Sequence, residues 1–150
     1  MHRSDTANDL GLFVLRLVFG GYFAWSGVIT AVGEIRDGLG SFYRGQFKGL
    51  QPTWLPDVFA APYGYALPWL EIVLGAMLIV GVLSTAVAIV IGLMIASFTL
   101  ALALKMGWTV QGANAPGPFG SNYLHLAAYV AMAVMGPGRW SIDAARGGRV

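Results

Sequence analysis

The sequence predicts an all-α integral membrane protein whose single domain, residues 1–150, is a four-helix bundle. Hydrophobic residues make up 57% of the chain and charged residues only 11%, whereas about a quarter of the residues in a soluble domain are charged. Polar or Gly- and Pro-rich connections separate four apolar segments, at residues 10–32, 63–82, 84–106 and 120–135. We expect these segments to cross a bilayer as helices, which makes the protein multi-pass.

The first predicted span, residues 10–32, is long enough for the roughly 30 Å hydrocarbon core of a bilayer. Asp5 and Asp9 precede it and Arg16 interrupts it, so we interpret it as a retained helix and not as a secretory signal. Small residues recur along it at alternating four- and three-residue steps. They predict a ridge where another helix packs closely, formed by Gly20, Ala24, Gly27 and Ala31.

The next two spans are separated from the first by the longest polar connection, residues 33–62. Its aromatic residues predict an ordered cap with a short helix at the lipid headgroup level. In the second span, residues 63–82, Pro68 either kinks the helix or marks its start. The third span, residues 84–106, follows almost at once, so we expect the two to form a tight antiparallel hairpin.

The fourth span follows a Gly- and Pro-rich stretch, residues 107–122, which the prolines and glycines predict to be largely a loop. The span itself, residues 120–135, is the shortest. The sequence GPGRWSID at residues 136–143 then predicts a membrane exit. Its glycine and proline end the helix, its arginine and tryptophan suit the membrane boundary, and Ser141 is placed to cap a short final helix.

Four spans place both ends of the chain on one side of the membrane. Counting Lys and Arg gives four residues on the side of the ends and four on the other, so the positive-inside rule gives a tie. Arg16, near the entrance of the first span, favours cytoplasmic ends.

Several kinds of chemistry are excluded by composition. The chain has no cysteine, which excludes disulfides, thiol redox chemistry and covalently attached c-type haem. Its two histidines, His2 and His125, lie at such different places that they give only weak support for an all-protein catalytic metal site. His125 alone lies in a predicted span, and one histidine does not ligate a b-type haem on both sides. We therefore expect no haem, flavin or metal. The net charge of +2 contains no block of one sign, so nucleic acid is not an expected partner.

Two charged residues inside the spans, Arg16 and Glu71, need a partner or a function, because a charge at the bilayer centre costs about 2.5–3.5 kcal/mol on insertion scales. From the predicted span ends we place them about 9 Å apart in depth, near enough for a direct or bridged contact. One interpretation is an ion pair that fixes which helices are neighbours. The other is that Glu71 exchanges protons or hydrogen-bonds to a ligand.

His125 and Tyr129 are four residues apart and share a helix face. Together they predict contacts to the carbonyl oxygens of a quinone. The alternative is an interfacial histidine that hydrogen-bonds to backbone or water. Aromatic residues of the first two spans either line a pocket for a flat ligand or pack against lipid; they are Tyr22, Phe23, Trp25, Tyr65 and Trp69.

Three segments, LRLVFGGYFAWSG, LPWLEIVLGAMLIVGVLS and MGPGRWSID, occur in an order that resembles the DoxX family of four-helix bacterial membrane proteins. The resemblance implies a bundle in the bacterial plasma membrane. It also implies a relation to the membrane subunit of thiosulfate:quinone oxidoreductase. Two departures are the apolar residues 28–31, where that family often has a basic residue, and the long stretch at residues 107–122.

The predicted function is that of a membrane subunit of a quinone-linked oxidoreductase complex. It contributes to a quinone pocket or anchors a catalytic partner, among lipids and other membrane-protein subunits, and carries no redox centre of its own. The predicted cofactor-binding residues are Glu71, His125, Arg16 and Tyr129. The alternative is a structural or assembly subunit of a larger energy-converting complex without ligand chemistry. A permease ranks last because the spans show only isolated polar groups.

Overall fold

The computed structural model describes residues 3–106 and 118–147, and within them every regular element is helical. Three helices are long and apolar enough to cross a membrane, and the apolar part of a fourth, Asn122–Met135, is shorter. The protein is therefore an all-α membrane protein, as predicted. The helices are α1 (Arg3–Asp37), α2 (Lys48–Leu50), α3 (Asp57–Val80), α4 (Ser84–Met106), α5 (Pro118–Met135) and α6 (Ile142–Ala145).

The helices extend beyond the apolar segments that predicted them. α1 has 35 residues, so it is about 52 Å long and exceeds the hydrocarbon core. α3 begins at Asp57, before the predicted span at residues 63–82, because the extended backbone of Pro56 precedes the helix and Pro62 lies inside it. α5 begins with Pro118, a residue suited to a first helical position, so the helix starts two residues before the predicted span at residues 120–135. Residues 107–117 of the predicted loop lie outside the described part of the chain.

The ridge of small residues on α1 packs against α3, as predicted. A β-carbon at Gly20 would lie 3.0 Å from the carbonyl oxygen of Gly75, and one at Gly27 would lie 2.6 Å from that of Pro68. From the other side, a β-carbon at Gly75 would lie 2.6 Å from the backbone nitrogen of Ala24. The two backbones approach this closely because no side chain stands between them.

α4 packs mainly against α5 and makes far fewer contacts with α3. A β-carbon at Gly92 of α4 would lie 3.6 Å from Cβ of Tyr129 on α5. The tight packing predicted between the second and third spans is therefore wrong. A short turn does join α3 to α4, with Gly81 in the left-handed conformation at φ +76°, but the glycine face of α3 is already occupied by α1.

The polar connection after α1 forms an ordered cap with a short helix, as predicted. Residues 41–50 are continuously helical, with a π-helical turn at Tyr43–Phe47 that leads into α2. The buried carboxylate of Glu34 at the end of α1 accepts hydrogen bonds from the backbone of Gly40 and Phe42 and from the Ser41 hydroxyl. This carboxylate folds the cap back onto α1.

Candidate functional site

A cavity of about 580 Å³ lies between α1, α3, α4 and the cap. Its wall is mostly apolar, with aromatic rings from all four parts of the structure: Tyr22, Phe23, Phe42, Phe47, Trp54, Tyr63 and Phe98. A smaller set of polar side chains also borders it: Ser26, Thr30, Gln46, Gln51, Glu71, Ser97 and Asn122. Such a mixture of apolar wall and few polar groups is typical of small-molecule sites.

Glu71 is the charged residue among the described residues of this wall. Its side chain is 6% exposed, and its Oε2 atom has no hydrogen-bond partner within the described chain. The carboxyl hydrogen-bonds to the side chain of Ser26 on α1. A buried carboxyl with one unpartnered oxygen therefore borders the cavity.

Hydroxyl groups line the same cavity as this carboxyl. The Thr30 hydroxyl donates to the backbone oxygen of Ser26 at 3.0 Å. Tyr63 on α3 shares a side-chain hydrogen bond with Ser97 on α4 and interacts electrostatically with Glu71. The mostly apolar wall thus contains a set of polar side chains contributed by α1, α3 and α4.

The aromatic residues named from the sequence divide into two groups. Tyr22 and Phe23 line the cavity. Trp25 is 63% exposed and Trp69 is also exposed on the outside of the bundle, as expected of side chains that face lipid. Tyr65 packs beneath the cap, with its ring 5.2 Å from that of Tyr43.

His125 and Tyr129 are buried behind the cavity wall and are not among its described lining residues. The His125 ring lies 4.6 Å from the ring of Tyr22, which does line the cavity, and 5.2 Å from that of Phe19. The Tyr129 hydroxyl donates to the backbone oxygen of Phe19 at 3.0 Å. Both side chains therefore hold α5 against α1, and any direct contact with a ligand stays a prediction.

Arg16 does not form the predicted contact with Glu71. It is 1% exposed, and its guanidinium donates to the backbone oxygen of Trp140 in the exit segment. The Arg16 guanidinium lies beside Gly81, at the end of α3, whereas Glu71 lies beside Gly27 of α1. Arg16 and Gly27 are eleven residues apart on α1, about 16 Å along the axis. The depth estimate failed because the register of α1 and α3 is set by their glycines and not by the ends of the apolar segments.

The GPGRWSID segment fastens the opposite end of the bundle. The Asp143 carboxylate accepts hydrogen bonds from the backbone nitrogens of Leu83 and Ser84 at 2.8 and 2.7 Å, where α4 begins. The Asp143 backbone donates to the oxygen of Gly81 at 3.0 Å, where α3 ends. Ser141 caps α6 by accepting from the backbone of Ala144, as predicted. The segment is thus a clasp on the turn from α3 to α4, which its sequence did not reveal.

Residues 8–136, which include most of α1 and all of α2 to α5, match the family model described as methylamine utilisation protein MauE. The chain belongs to the MauE family. A search of curated proteins found no match, and a search of solved structures found none either.

Membership of the MauE family corrects the resemblance to DoxX, which was wrong. The features that supported that resemblance were glycines, a buried glutamate and a Gly-Pro exit. The structure shows that the glycines and the exit serve helix packing and termination. Any short helical bundle needs such residues, so they do not separate one membrane family from another.

Sequence reasoning missed several residues of the site in this MauE family member. Ser26 and Thr30 are four residues apart, so the α1 face that they share was a detectable polar signal. Ser97 and Phe98 lie in the span that looked free of functional residues, and Gln46 and Phe47 lie in the cap. Only the fold brings these residues to Glu71, because they come from separate elements.

Proposed function

We propose that this chain is a membrane subunit of a methylamine utilisation system, where it holds the head of a quinone beside Glu71 on behalf of an oxidoreductase partner. The family name suggests the system. The observation that supports the ligand is the 580 Å³ aromatic cavity with a buried, partly unpaired carboxyl in its wall. In this proposal the partner supplies the redox centre that exchanges electrons with the quinone.

The chemistry of the wall suits a quinone. Aromatic and aliphatic side chains favour a flat ring and an isoprenoid tail. The carbonyl oxygens of a quinone need hydrogen-bond donors, and a protonated Glu71 carboxyl, the Ser26 hydroxyl and the Gln46 amide can donate. After reduction the hydroxyls of the quinol need acceptors, and the same groups can accept.

The four residues predicted from the sequence have different parts in this proposal. Glu71 makes the direct contact. His125 acts through the ring of Tyr22, which it supports at 4.6 Å. Tyr129 fixes α5 to α1, and Arg16 fixes the exit segment, so both position helices and do not contact the quinone.

The test is the quinone content of the purified protein. The chain is isolated in mild detergent, extracted with organic solvent and assayed for quinone per polypeptide. We expect wild type and the exposed control Asp37→Asn to retain it, Glu71→Gln to lose most of it, and His125→Ala to lose part. Equal quinone in Glu71→Gln and wild type, or none in wild type supplied with quinone, would refute the proposal.

A structural or assembly subunit is the second candidate, and one observation favours it. Large apolar side chains cover the outer face of α1: Val18, Trp25, Ile29 and Val32 are all more than half exposed. This face suits helices of other membrane subunits as well as lipid. Co-purification of an intact complex without quinone would favour this role.

We also propose that the protein lies in the bacterial plasma membrane with both ends in the cytoplasm. The absence of cysteine allows single cysteines to be introduced without prior replacement. A membrane-impermeant maleimide added to intact cells should label Arg44→Cys in the cap, and label Thr6→Cys only after permeabilisation. The reverse labelling pattern would show that both ends lie outside the cytoplasm.

A further inference from the structure

We propose that the cavity also takes a small alkylammonium ion, which pairs with the Glu71 carboxylate and excludes the quinone head. The cation site rests on the cavity alone. The competition between the two ligands rests on the proposed quinone function. An amine would then control the same site that holds the quinone.

The charge of the cavity is the first argument. The described residues that line it include Glu71 but no Lys, Arg or His. Arg16 is held by the exit segment at the opposite end of the bundle, and Lys48 in the cap is paired with Asp57 at 2.7 Å. A carboxylate without a counter-ion is costly in hydrocarbon. Glu71 therefore either carries its proton or faces a cation that comes from outside the chain.

The aromatic wall is the second argument. Ammonium ions bind over the faces of aromatic rings, and such contacts strengthen when water is excluded. Rings approach the cavity from four elements, with Tyr22 on α1, Phe47 in the cap, Tyr63 on α3 and Phe98 on α4. The Phe47 and Tyr63 rings pack edge to face at 5.7 Å and so support each other without a ligand. The alkyl part of the ion suits the remaining apolar wall.

Proton balance explains why one site can take two ligands. With its proton, Glu71 is neutral and donates to a neutral quinone. When an alkylammonium ion enters, the carboxyl proton leaves to the solvent and the cavity remains neutral, so one proton is released for each ion bound. The other titratable groups that face or adjoin Glu71 are Tyr22, Tyr63 and Tyr129, with His125 behind Tyr22. The tyrosines are uncharged near neutral pH, and His125 is not among the described residues that line the cavity. Glu71 is therefore the proposed source of the proton.

Calorimetry with methylammonium chloride tests the inference. The whole chain in detergent is titrated in two buffers of different ionisation enthalpy, so that the heat reports both binding and proton release. We expect saturable binding with about one proton released by wild type and by Asp37→Asn, which removes an exposed carboxylate outside the cavity. Glu71→Gln should abolish the proton release and weaken binding at least tenfold, and Phe98→Leu should weaken binding while the proton release stays.

Potassium and acetate at the same concentrations serve as probes for non-specific effects, and neither should give saturable heat. Identical titrations of wild type and Glu71→Gln would overturn the inference. So would the absence of saturable binding by wild-type protein whose circular dichroism spectrum shows that it is folded. If Glu71→Gln fails to fold, Phe98→Leu and Ser26→Ala decide, because unchanged affinity in both would exclude the cavity.

The two proposals fail separately. If the protein retains quinone but does not bind methylammonium, the cation site is refuted and the quinone site is supported. If the protein binds methylammonium but never retains quinone, the quinone site is refuted and the cation site is supported. If both bind, increasing methylammonium should displace quinone from wild type, and simultaneous full occupancy would refute the competition.

Discussion

Gly27 on α1 lies directly against Glu71 on α3, so closely that a β-carbon at Gly27 would be 2.7 Å from Cβ of Glu71. The same β-carbon would be 2.6 Å from the oxygen of Pro68. The glycine that lets the two helices approach therefore also fixes where the carboxyl stands at the cavity wall. Helix packing and the candidate site are coupled at this pair of residues.

Replacing Gly27 with Ala should destabilise the protein by about 1–3 kcal/mol, because the added methyl group has no space between two backbones. It should also reduce quinone retention, since α3 must move and carry Glu71 with it. Thermal unfolding in detergent and the quinone assay measure the two effects. The control is Gly21→Ala on the same helix, where a β-carbon meets nothing within 4 Å. Equal unfolding midpoints for the two variants would contradict the proposed coupling.

A structural feature of this protein could be predicted from the sequence when it depends on residues within one helix. Apolar segment length predicted the membrane helices, and the three- and four-residue steps from Gly20 to Ala31 predicted the close ridge on α1, because both patterns lie within one element. The register between helices was not predictable. It depends on which glycine faces which residue of another helix, so the expected contact between Arg16 and Glu71 failed.

The site shows the same division. Glu71 was recognised because a carboxyl inside an apolar segment is unusual by itself. Ser97 and Phe47 become part of the site only when α4 and the cap fold against α3. Glu34 gave no signal either, because a glutamate at the end of a helix looks solvated until the turn at Gly40 brings the following backbone onto it.

Replacing Glu34 with Gln should loosen the cap. The carboxylate accepts from two backbone nitrogens and one hydroxyl, whereas an amide has one acceptor oxygen. Leaving buried donors unpaired should cost about 1–3 kcal/mol. Hydrogen exchange should accelerate at the amides of Gly40 and Phe42. Asp37→Asn, a change at an exposed carboxylate three residues away, should leave those amides protected; equal acceleration in both variants would show that Glu34 does not hold the cap.

Replacing Arg16 with Gln should release the exit segment. The hydrogen bond from the guanidinium to Trp140 is lost, and bonds from charged groups contribute about 1.5–3 kcal/mol. If local opening limits proteolysis, trypsin should cleave after Arg139 about tenfold faster or more. Arg36→Gln is the control, because that side chain is 85% exposed and lies at the other end of α1. Unchanged cleavage in Arg16→Gln would mean that the rest of the clasp holds the segment unaided.

The Asp143 clasp should make stability depend on pH in a stated direction. Burial alone would raise the pKa of the Asp143 carboxyl, but the hydrogen bonds from the backbone of Ser84 and Leu83 outweigh it and hold the pKa below its usual value of 3.8. A carboxyl whose pKa is lower in the folded state stabilises the fold above its unfolded pKa, and the stabilisation is lost as pH falls through the folded pKa.

Replacing Asp143 with Asn should therefore lower the stability near pH 7 by about 1 kcal/mol, the typical contribution of a helix N-terminal cap. Unfolding midpoints of wild type and Asp143→Asn, measured in detergent from about pH 7 to about pH 2, should approach each other below about pH 4 as the wild-type carboxylate takes up its proton. Asp37→Asn should instead run parallel to wild type over the whole range. A gap between wild type and Asp143→Asn that stayed constant down to the lowest pH would mean that the shape of the side chain, and not its charge, holds the exit segment to the start of α4.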